Sequence, residues 1–400
     1  MGLRRGDGFL MMCIYCDGRR DDRQTSLEHI WPQSLGGACS PELFQSQNVC
    51  QTCNNLAGLW VDGAFLKSWF ISHEAGGAAR QYLDPAKPGV VPLVYMGEDQ
   101  DFPNQSEEIC ERWIGPAGEH VYHVHLRDDD RWYGYAGGDV IRRRRRDPGR
   151  AYLILTSQNP YWVLTGLKSF IAHFSKGTRL FCLTKIVGLP PEFTSGFIAE
   201  ESATSIEATE MEWIFARPDE KQHLMRLSLR LDFSDRFLAK LSLGLGANLF
   251  GAAYCMSSYA DELRKLLWSR LPSTDERPKV RGTNFWQEAD LSQISKLTSL
   301  PGAWTILLQA AREGFALYLC TPGGRGMTMA LSDDCSFWAA PEFQPYREGI
   351  LYFAIPARQT FVGPIALPRY LAHKLGNFVE PTLAKLEAMK SDPALLPKMR

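Results

Sequence analysis

Apolar and polar residues follow a strand-like pattern through the middle of the chain. The segment VYHVHLR at 121–127 alternates, AYLILT at 151–156 is a continuous apolar run, and RLFCLTKIV at 179–187 is rich in β-branched and aromatic residues. Alternation with a period of two is typical of strands that bury one face, and short apolar runs are typical of fully buried strands. The region from about 91 to 189 is therefore predicted to be mostly β-sheet.

Helical spacing of apolar residues marks other segments. One helix is predicted over 61–73, and a pair of helices is predicted over 235–249 and 259–268. Gly244 and Gly246 interrupt the apolar run of the first helix of this pair, and they predict close packing against a neighbouring element. The last third of the chain alternates short strands and turns and ends with a predicted helix around 371–389.

Composition narrows the class of protein. Apolar residues make up 45% and charged residues 22%, and 44 Lys and Arg nearly balance 45 Asp and Glu. This excludes a mainly disordered chain and a globally basic nucleic-acid binder. The longest apolar stretch, 304–320, is interrupted by Gln309, Arg312 and Glu313, so no membrane segment is predicted. The N-terminus has no secretory pattern, which is typical of a cytoplasmic protein.

Breaks in the pattern predict three regions. The Pro- and Gly-rich turn near 84–92 and the polar segment 272–282 separate a first unit over 1–75 from a second over 76–271 and a third over 283–400. The second is predicted to be β-rich and then helical, with a recognition or regulatory role. The third is predicted to be α+β and can belong to the same larger unit.

Four cysteines in two C-x-x-C pairs distinguish the first unit. They are Cys13 and Cys16, then Cys50 and Cys53, separated by a long loop. Four thiolates fill the tetrahedral coordination of zinc and leave no open position, so this pattern predicts a structural Zn²⁺. Thiol redox chemistry and four unrelated free cysteines are the weaker alternatives.

The residues between the two cysteine pairs suggest chemistry. The segment LEHIWPQSLGG at 27–37 turns at its proline and glycines, as between two strands of a hairpin. Asn48 precedes the second cysteine pair, and Asn54 follows it directly. If a helix begins near Cys50, then Asn54 lies about 100° around the helix from Cys53 and faces the hairpin.

A carboxylate, an imidazole and an amide oxygen would then share a small space. Glu28 and Asn54 offer the oxygen ligands that Mg²⁺ prefers, with Mn²⁺ as the alternative cation. His29 can accept a proton from a water molecule beside a bound phosphate. These are groups that the hydrolysis of a phosphodiester needs.

This order of residues resembles the HNH endonuclease family, in the variant that has Asn in place of the last His. The resemblance implies that His29 is the general base, that Glu28 and Asn54 are ligands of the catalytic metal, and that Asn48 orients His29 through the hairpin backbone. Glu28 stands where many relatives have Asp. Ala57 stands where many have a basic residue, so one phosphate contact is missing.

The resemblance covers residues 10–60 and implies the fold class. We expect an α+β chain in which a small, zinc-stapled ββα-metal module precedes a larger mixed α/β region of unrecognised fold. The same residues have plainer interpretations as well: His29 as a structural histidine, Asn54 as an amide on a helix surface, and Asn48 as a helix N-cap.

Five consecutive arginines form a second, weaker signal. Arg142, Arg143, Arg144, Arg145 and Arg146 could clamp phosphates of a nucleic acid, or form a solvated loop beside an aspartate. These two interpretations are about equally supported by the sequence.

Three histidines at 120, 123 and 125 are the third signal. His123 and His125 fall on one face of the predicted strand. A metal site there competes with the plainer interpretation as half-buried strand residues, which the sequence favours.

Two functions remain in competition. The first is a metal-dependent endonuclease that cuts DNA, with RNA as an alternative substrate, as the effector of a bacterial antiphage defence or restriction system. A short Argonaute or a nucleotide-signal sensor would then be its partner, and self-association is left open. The second is a non-catalytic zinc module that binds nucleic acid or protein, which needs the four cysteines but neither His29 nor Asn54.

Overall fold

A computed structural model describes most of the chain. The described residues are 13–18, 24–105, 107–126, 149–174, 177–184, 196–217, 224–227, 232–269, 278–286, 291–391 and 396. Arg142–Arg146 lie outside them, so the arginine run stays a prediction.

Strands and helices are mixed along the chain, which confirms the predicted α+β class. The strands are β1 Thr25–His29, β2 Gln45–Cys50, β3 Val94–Asp99, β4 Glu108–Ile114, β5 His120–Leu126, β6 Arg150–Ile154, β7 Arg179–Cys182, β8 Met225–Arg226, β9 Gly282–Thr283, β10 Trp304–Ala311, β11 Gly314–Cys320, β12 Gly326–Ser332, β13 Ile350–Ile355 and β14 Thr360–Ala366.

The helices flank these strands. They are α1 Gln51–Leu56, α2 Gly63–Leu66, α3 Trp69–Arg80, α4 Pro160–His173, α5 Ser205–Ala216, α6 Phe233–Phe250, α7 Ala252–Cys255, α8 Ser258–Leu267, α9 Ser292–Thr298, α10 Gln344–Glu348, α11 Leu367–Lys374 and α12 Pro381–Ala388. A π-helical stretch, Ala57–Asp62, joins α1 to α2. Within the described part of the chain, no helix combines the length and apolar character that crossing a membrane requires.

The described strands form three sheets. β1 and β2 pair alone, β3 to β8 form a sheet of order β7-β6-β5-β4-β3-β8, and β9 to β14 form a sheet of order β14-β13-β10-β11-β12-β9. In the second sheet β6 and β7 are parallel, and α4 makes the crossover between them. Apolar side chains on one face of this sheet pack with α4, and those on the other face pack with α5.

The N-terminal unit shares its core with the C-terminal sheet. Trp31 is fully buried, and its ring lies edge-on to those of Phe237 in α6 and Trp304 in β10. Phe65 in α2 stacks on Phe237 with ring centroids 3.8 Å apart. A single hydrophobic cluster therefore joins residues of the first 71 positions to α6, α8 and the third sheet. The predicted boundaries between the three units stay predictions. Helices α6 and α8 fall in the second predicted unit, and they pack on residues of the first and the third units.

Two predicted helices are each divided in the structure. The segment predicted as one helix over 61–73 breaks at Lys67 and Ser68, between α2 and α3. The one predicted over 371–389 divides into α11 and α12, with Gly376 at a positive φ of 76° between them. Apolar spacing alone does not register such breaks, because the same faces stay buried on both sides of them.

Candidate metal and active site of the N-terminal unit

The two cysteine pairs come together in the folded chain. Cys13, Cys16, Cys50 and Cys53 are all buried, and their sulfur atoms lie within 4.8 Å of one another. Cys50 is the N-cap of α1, and its Sγ accepts a hydrogen bond from the Cys53 backbone N–H. Both sulfurs therefore lie at the first turn of one helix, as a zinc knuckle requires.

The close approach of the four thiols affects their protonation. The neighbouring thiol of Cys16, together with burial, raises the pKa of the Cys13 thiol to about 12. Zinc binds thiolates, so the ion itself has to stabilise the deprotonated sulfurs. Number, type and spacing of the donors all fit a structural Zn²⁺.

The hairpin between the cysteine pairs positions His29 at the end of β1. β1 and β2 are antiparallel, with His29 opposite Gln45 and a register shift between Ser26 and Glu28. The His29 side chain is half-buried, and the Gln33 amide nitrogen lies 3.1 Å from its Nδ1. The ring is thus held against the turn and remains partly open to solvent.

Asn54 is fastened to the same strand. Its side-chain nitrogen donates to the Ser26 hydroxyl and to the Leu27 carbonyl, both at 2.9 Å. Both donor positions of the amide are used by β1, so its oxygen is the atom left to hold a cation. The side chain faces the hairpin, the direction that helical geometry predicts from its place after Cys53.

Glu28 lies on the other side of β1 and is 2% exposed. Its Oε1 lies 2.8 Å from the Lys240 ammonium of α6 and accepts a hydrogen bond of 3.1 Å from the Tyr15 hydroxyl. Neighbouring residues of a strand point to opposite faces, which separates this carboxylate from the His29 ring. Its predicted role as a metal ligand stays a prediction.

Lys240 connects two carboxylates in this buried cluster. Its ammonium also lies 2.7 Å from Asp62 Oδ2. Burial raises the pKa of the Asp62 carboxyl to about 6, although the Lys240 charge opposes the shift. Burial disfavours the charge on Lys240, but Asp62 and Glu28 outweigh it and raise the pKa of the ammonium. The charged lysine is therefore well compensated.

Helix α6 also supports the backbone at His29. The Lys240 ammonium donates to the His29 carbonyl at 3.2 Å. One turn later, a Cβ at Gly244 would lie 2.6 Å from the side chain of Ile30, the residue after His29. The close packing predicted for Gly244 is therefore observed, and its neighbour is the residue that directly follows the strand with the candidate base.

Asn48 holds the hairpin to the cysteine loop through its backbone. Its side chain is exposed, and its carbonyl accepts a hydrogen bond of 2.9 Å from the Ile14 N–H. The N-cap of α1 is Cys50, so Asn48 does not cap that helix. Its orienting role toward His29 stays a prediction.

Sequence reasoning missed Gln33, Lys240, Asp62 and Tyr15. A lysine inside the apolar run of α6 was the available signal for Lys240, since a buried ammonium requires acidic partners. Gln33, four residues after His29, carried no signal of its own.

Comparison with protein families agrees with this geometry. Residues 13–70 match the family model of HNH endonucleases. Comparisons with curated proteins and with solved structures gave no match. The N-terminal segment is thus an HNH endonuclease module with a four-cysteine cluster suited to zinc, which confirms the resemblance inferred from the motif.

Proposed function

We propose that the chain is a metal-dependent endonuclease that hydrolyses phosphodiester bonds in DNA, with His29 as the general base. The observation that carries the proposal is that one strand, β1, carries the first of two groups and holds the second by hydrogen bonds. His29 ends β1 with its ring partly open to solvent, and Asn54 is hydrogen-bonded to β1 two residues earlier. An imidazole and an amide oxygen beside one backbone suit the hydrolysis of a phosphate ester.

In this proposal the protein contributes position and proton transfer. The neutral His29 imidazole accepts the proton of the attacking water, and Gln33 limits rotation of the ring. The Asn54 oxygen would help to hold Mg²⁺ or Mn²⁺, which supplies charge stabilisation to the phosphate when bound. In this proposal His29 and the cation act on a phosphate of the substrate and on no base edge. Sequence preference therefore has to come from elsewhere in the chain.

Glu28 acts in the proposal as a positioning residue. Its contacts with Lys240 and Tyr15 fix the inner face of β1, while Lys240 also binds the His29 carbonyl. These contacts fix β1 on its buried side, and the opposite side of the strand therefore keeps one orientation. Ligation of the metal by Glu28 would require the carboxylate to leave both partners.

Cleavage assays with DNA and RNA test the proposal. We expect nicking or linearisation of plasmid DNA with Mg²⁺ or Mn²⁺ and none with EDTA, while the zinc content stays at one or more per chain. A gel shift with DNA and no cleavage under any metal condition would instead support a non-catalytic binding module. Comparing DNA with RNA of the same sequence identifies the substrate.

The wider biological role remains a prediction from the resemblance. A nuclease module joined to a much larger region suits an effector of antiphage defence or restriction, with a short Argonaute or a nucleotide-signal sensor as partner. Co-purification from cells that carry the neighbouring genes would identify such a partner.

A further inference from the structure

Three side chains of the types that bind metals in proteins meet on one face of the second sheet, far along the chain from the HNH module. In the pairing of β4 with β5, Glu111 lies directly opposite His123, and His125 follows two residues later on the same face. The three residues are 1%, 1% and 0% exposed, respectively. The sheet register thus adds a carboxylate to the two histidines.

The distances match the edges of a coordination polyhedron. Glu111 Oε2 lies 3.3 Å from His123 Nδ1 and 3.5 Å from His125 Nε2, and one ligand atom from each of the three residues lies within 4.8 Å of the others. Zinc bonds to nitrogen and oxygen of about 2.0–2.1 Å place tetrahedral ligands about 3.3–3.4 Å apart. One cation can therefore reach all three donors with small side-chain movements.

The hydrogen bond of His125 selects the ligating nitrogen. Its Nδ1 lies 3.0 Å from the Leu126 carbonyl, which can only accept, so Nδ1 carries a proton. In the neutral ring the lone pair is then on Nε2, the atom that faces the Glu111 carboxylate. Two lone pairs repel at this distance unless a proton or a metal cation lies between them. A backbone carbonyl that fixes the tautomer is also the usual support of a metal-binding histidine.

Negative charge accumulates at the same place. Glu98 on β3 pairs directly with Glu111 and is 4% exposed. Like charges opposite each other on one face of a sheet are destabilising. Arg226 lies 3.8 Å from Glu98, and the second oxygen of Glu111, Oε1, is buried without a hydrogen-bond partner among the described residues. A divalent cation would satisfy this carboxylate.

We propose that Glu111, His123 and His125 bind one divalent transition metal, with Zn²⁺ as the first expectation. Imidazole nitrogen and carboxylate oxygen are common zinc donors, and three of them leave a fourth position for water or a further oxygen. The site is closed on one side by Phe174, whose ring centroid lies 4.8 Å from that of His123. Complete burial assigns the ion a structural role, in which it joins β4 to β5.

Counting metal ions in the wild-type protein tests the proposal without any variant. The protein is incubated with Zn²⁺, freed of excess by gel filtration and analysed by elemental mass spectrometry. With Mg²⁺ in excess to occupy the proposed catalytic site, two zinc ions per chain are expected, one from the four cysteines and one from this site. A count of one would overturn the proposal and leave the three residues as a buried ion-paired cluster.

Two variants locate the second ion. Glu111→Gln nearly preserves side-chain volume and removes the anionic donor, so we expect one zinc per chain and a melting temperature lower by several degrees. His120→Ala is the matched control, because His120 lies on the same strand but its side chain contacts Arg112 on the opposite face. It should keep two ions. A second zinc that persists in Glu111→Gln would place that ion elsewhere and contradict the proposal.

Discussion

The strand pairs β1–β2 and β4–β5 both carry histidine, and they expose it very differently. On β1–β2, His29 is half-buried at the end of a strand, beside an asparagine from the following helix. On β4–β5, His123 and His125 are covered and face a buried glutamate. A partly open imidazole can exchange protons with water and substrate, whereas a covered one can only hold partners in place. Exposure thus separates the proposed catalytic role from the proposed structural one.

The two sites also differ in what surrounds them. The first hairpin is small and depends on the cysteine cluster and on α6 for support. The second lies in the middle of a six-stranded sheet with helices on both faces. The comparison predicts that the β1–β2 pair unfolds without its metal, and that the β4–β5 pair is destabilised but stays folded without its own. The following experiments test that difference, from the largest expected effect to the smallest.

Removal of the cysteine-bound zinc should have the largest effect. Cys50→Ser deletes a zinc ligand while its hydroxyl can still cap α1, and structural zinc contributes on the order of 10 kcal/mol to small modules. We expect one zinc ion fewer per chain than in the wild type and a loss of cooperative unfolding, measured by elemental analysis and near-UV circular dichroism. Cys39→Ser, at an exposed cysteine outside the cluster, is the control. A Cys50→Ser protein with unchanged zinc content would refute the four-cysteine site.

Lys240→Met should destabilise the β1–β2 hairpin, because it removes the buried ammonium that contacts Glu28 and the His29 carbonyl. The change leaves Glu28 and Asp62 without their shared cation, and breaking a buried ion pair costs about 3–5 kcal/mol. Urea unfolding measures this loss, and cleavage by the folded fraction should also fall, since the support of the His29 carbonyl is removed. Lys265→Met is the matched control, because its pair with Glu262 is exposed and worth about 1 kcal/mol or less. Equal effects of the two substitutions would argue against the buried cluster.

Gly244→Ala tests the contact of α6 with the candidate strand. The added methyl group would overlap Ile30, and such overpacking costs about 1–3 kcal/mol. The control is Gly77→Ala in α3, where a Cβ meets nothing within 4 Å and helix propensity predicts a gain of about 0.5–1 kcal/mol. Thermal unfolding should give opposite signs for the two variants. A change in melting temperature of the same sign in both variants would mean that α6 does not pack closely against Ile30.

The acid dependence of the second sheet should give the smallest effect. Glu108 accepts hydrogen bonds from Arg150, and these lower the pKa of the Glu108 carboxyl. A carboxyl group whose pKa is lowered by folding stabilises the fold fully at pH values above the ordinary pKa of glutamate. This contribution is lost as the pH falls through the lowered pKa of the folded state. The stability difference between wild type and Glu108→Gln should therefore be full at pH 7 and shrink in acid, as measured by urea unfolding at several pH values. A difference that is independent of pH would contradict the ion pair.

Sequence patterns anticipated what is local in this chain. The cysteine pairs, the turn after His29 and the start of a helix near Cys50 all follow from residues that are close in sequence. Strands β5 and β6 and helices α6 and α8 agree closely with the predicted segments. In each case the signal and the structure extend over the same few residues.

What the sequence did not show depends on pairing between distant segments. Glu28 resembles a metal ligand by its place beside His29, yet Lys240, more than 200 positions later, holds its carboxylate. Glu111 joined the two histidines only through the register of β4 with β5. A single sequence gives no register and no partner for a buried charge, so these relationships appear only in the folded chain.

The most direct test of the central claim is the cleavage rate of His29→Ala relative to wild type at equal zinc content. General base catalysis by a positioned histidine contributes about 10²–10⁴-fold. We expect a loss of that size, with an unchanged melting temperature and unchanged zinc, because the His29 ring is half-buried and contacts only Gln33 among the described side-chain hydrogen bonds. Metal-dependent cleavage at the wild-type rate would show that His29 is not the base.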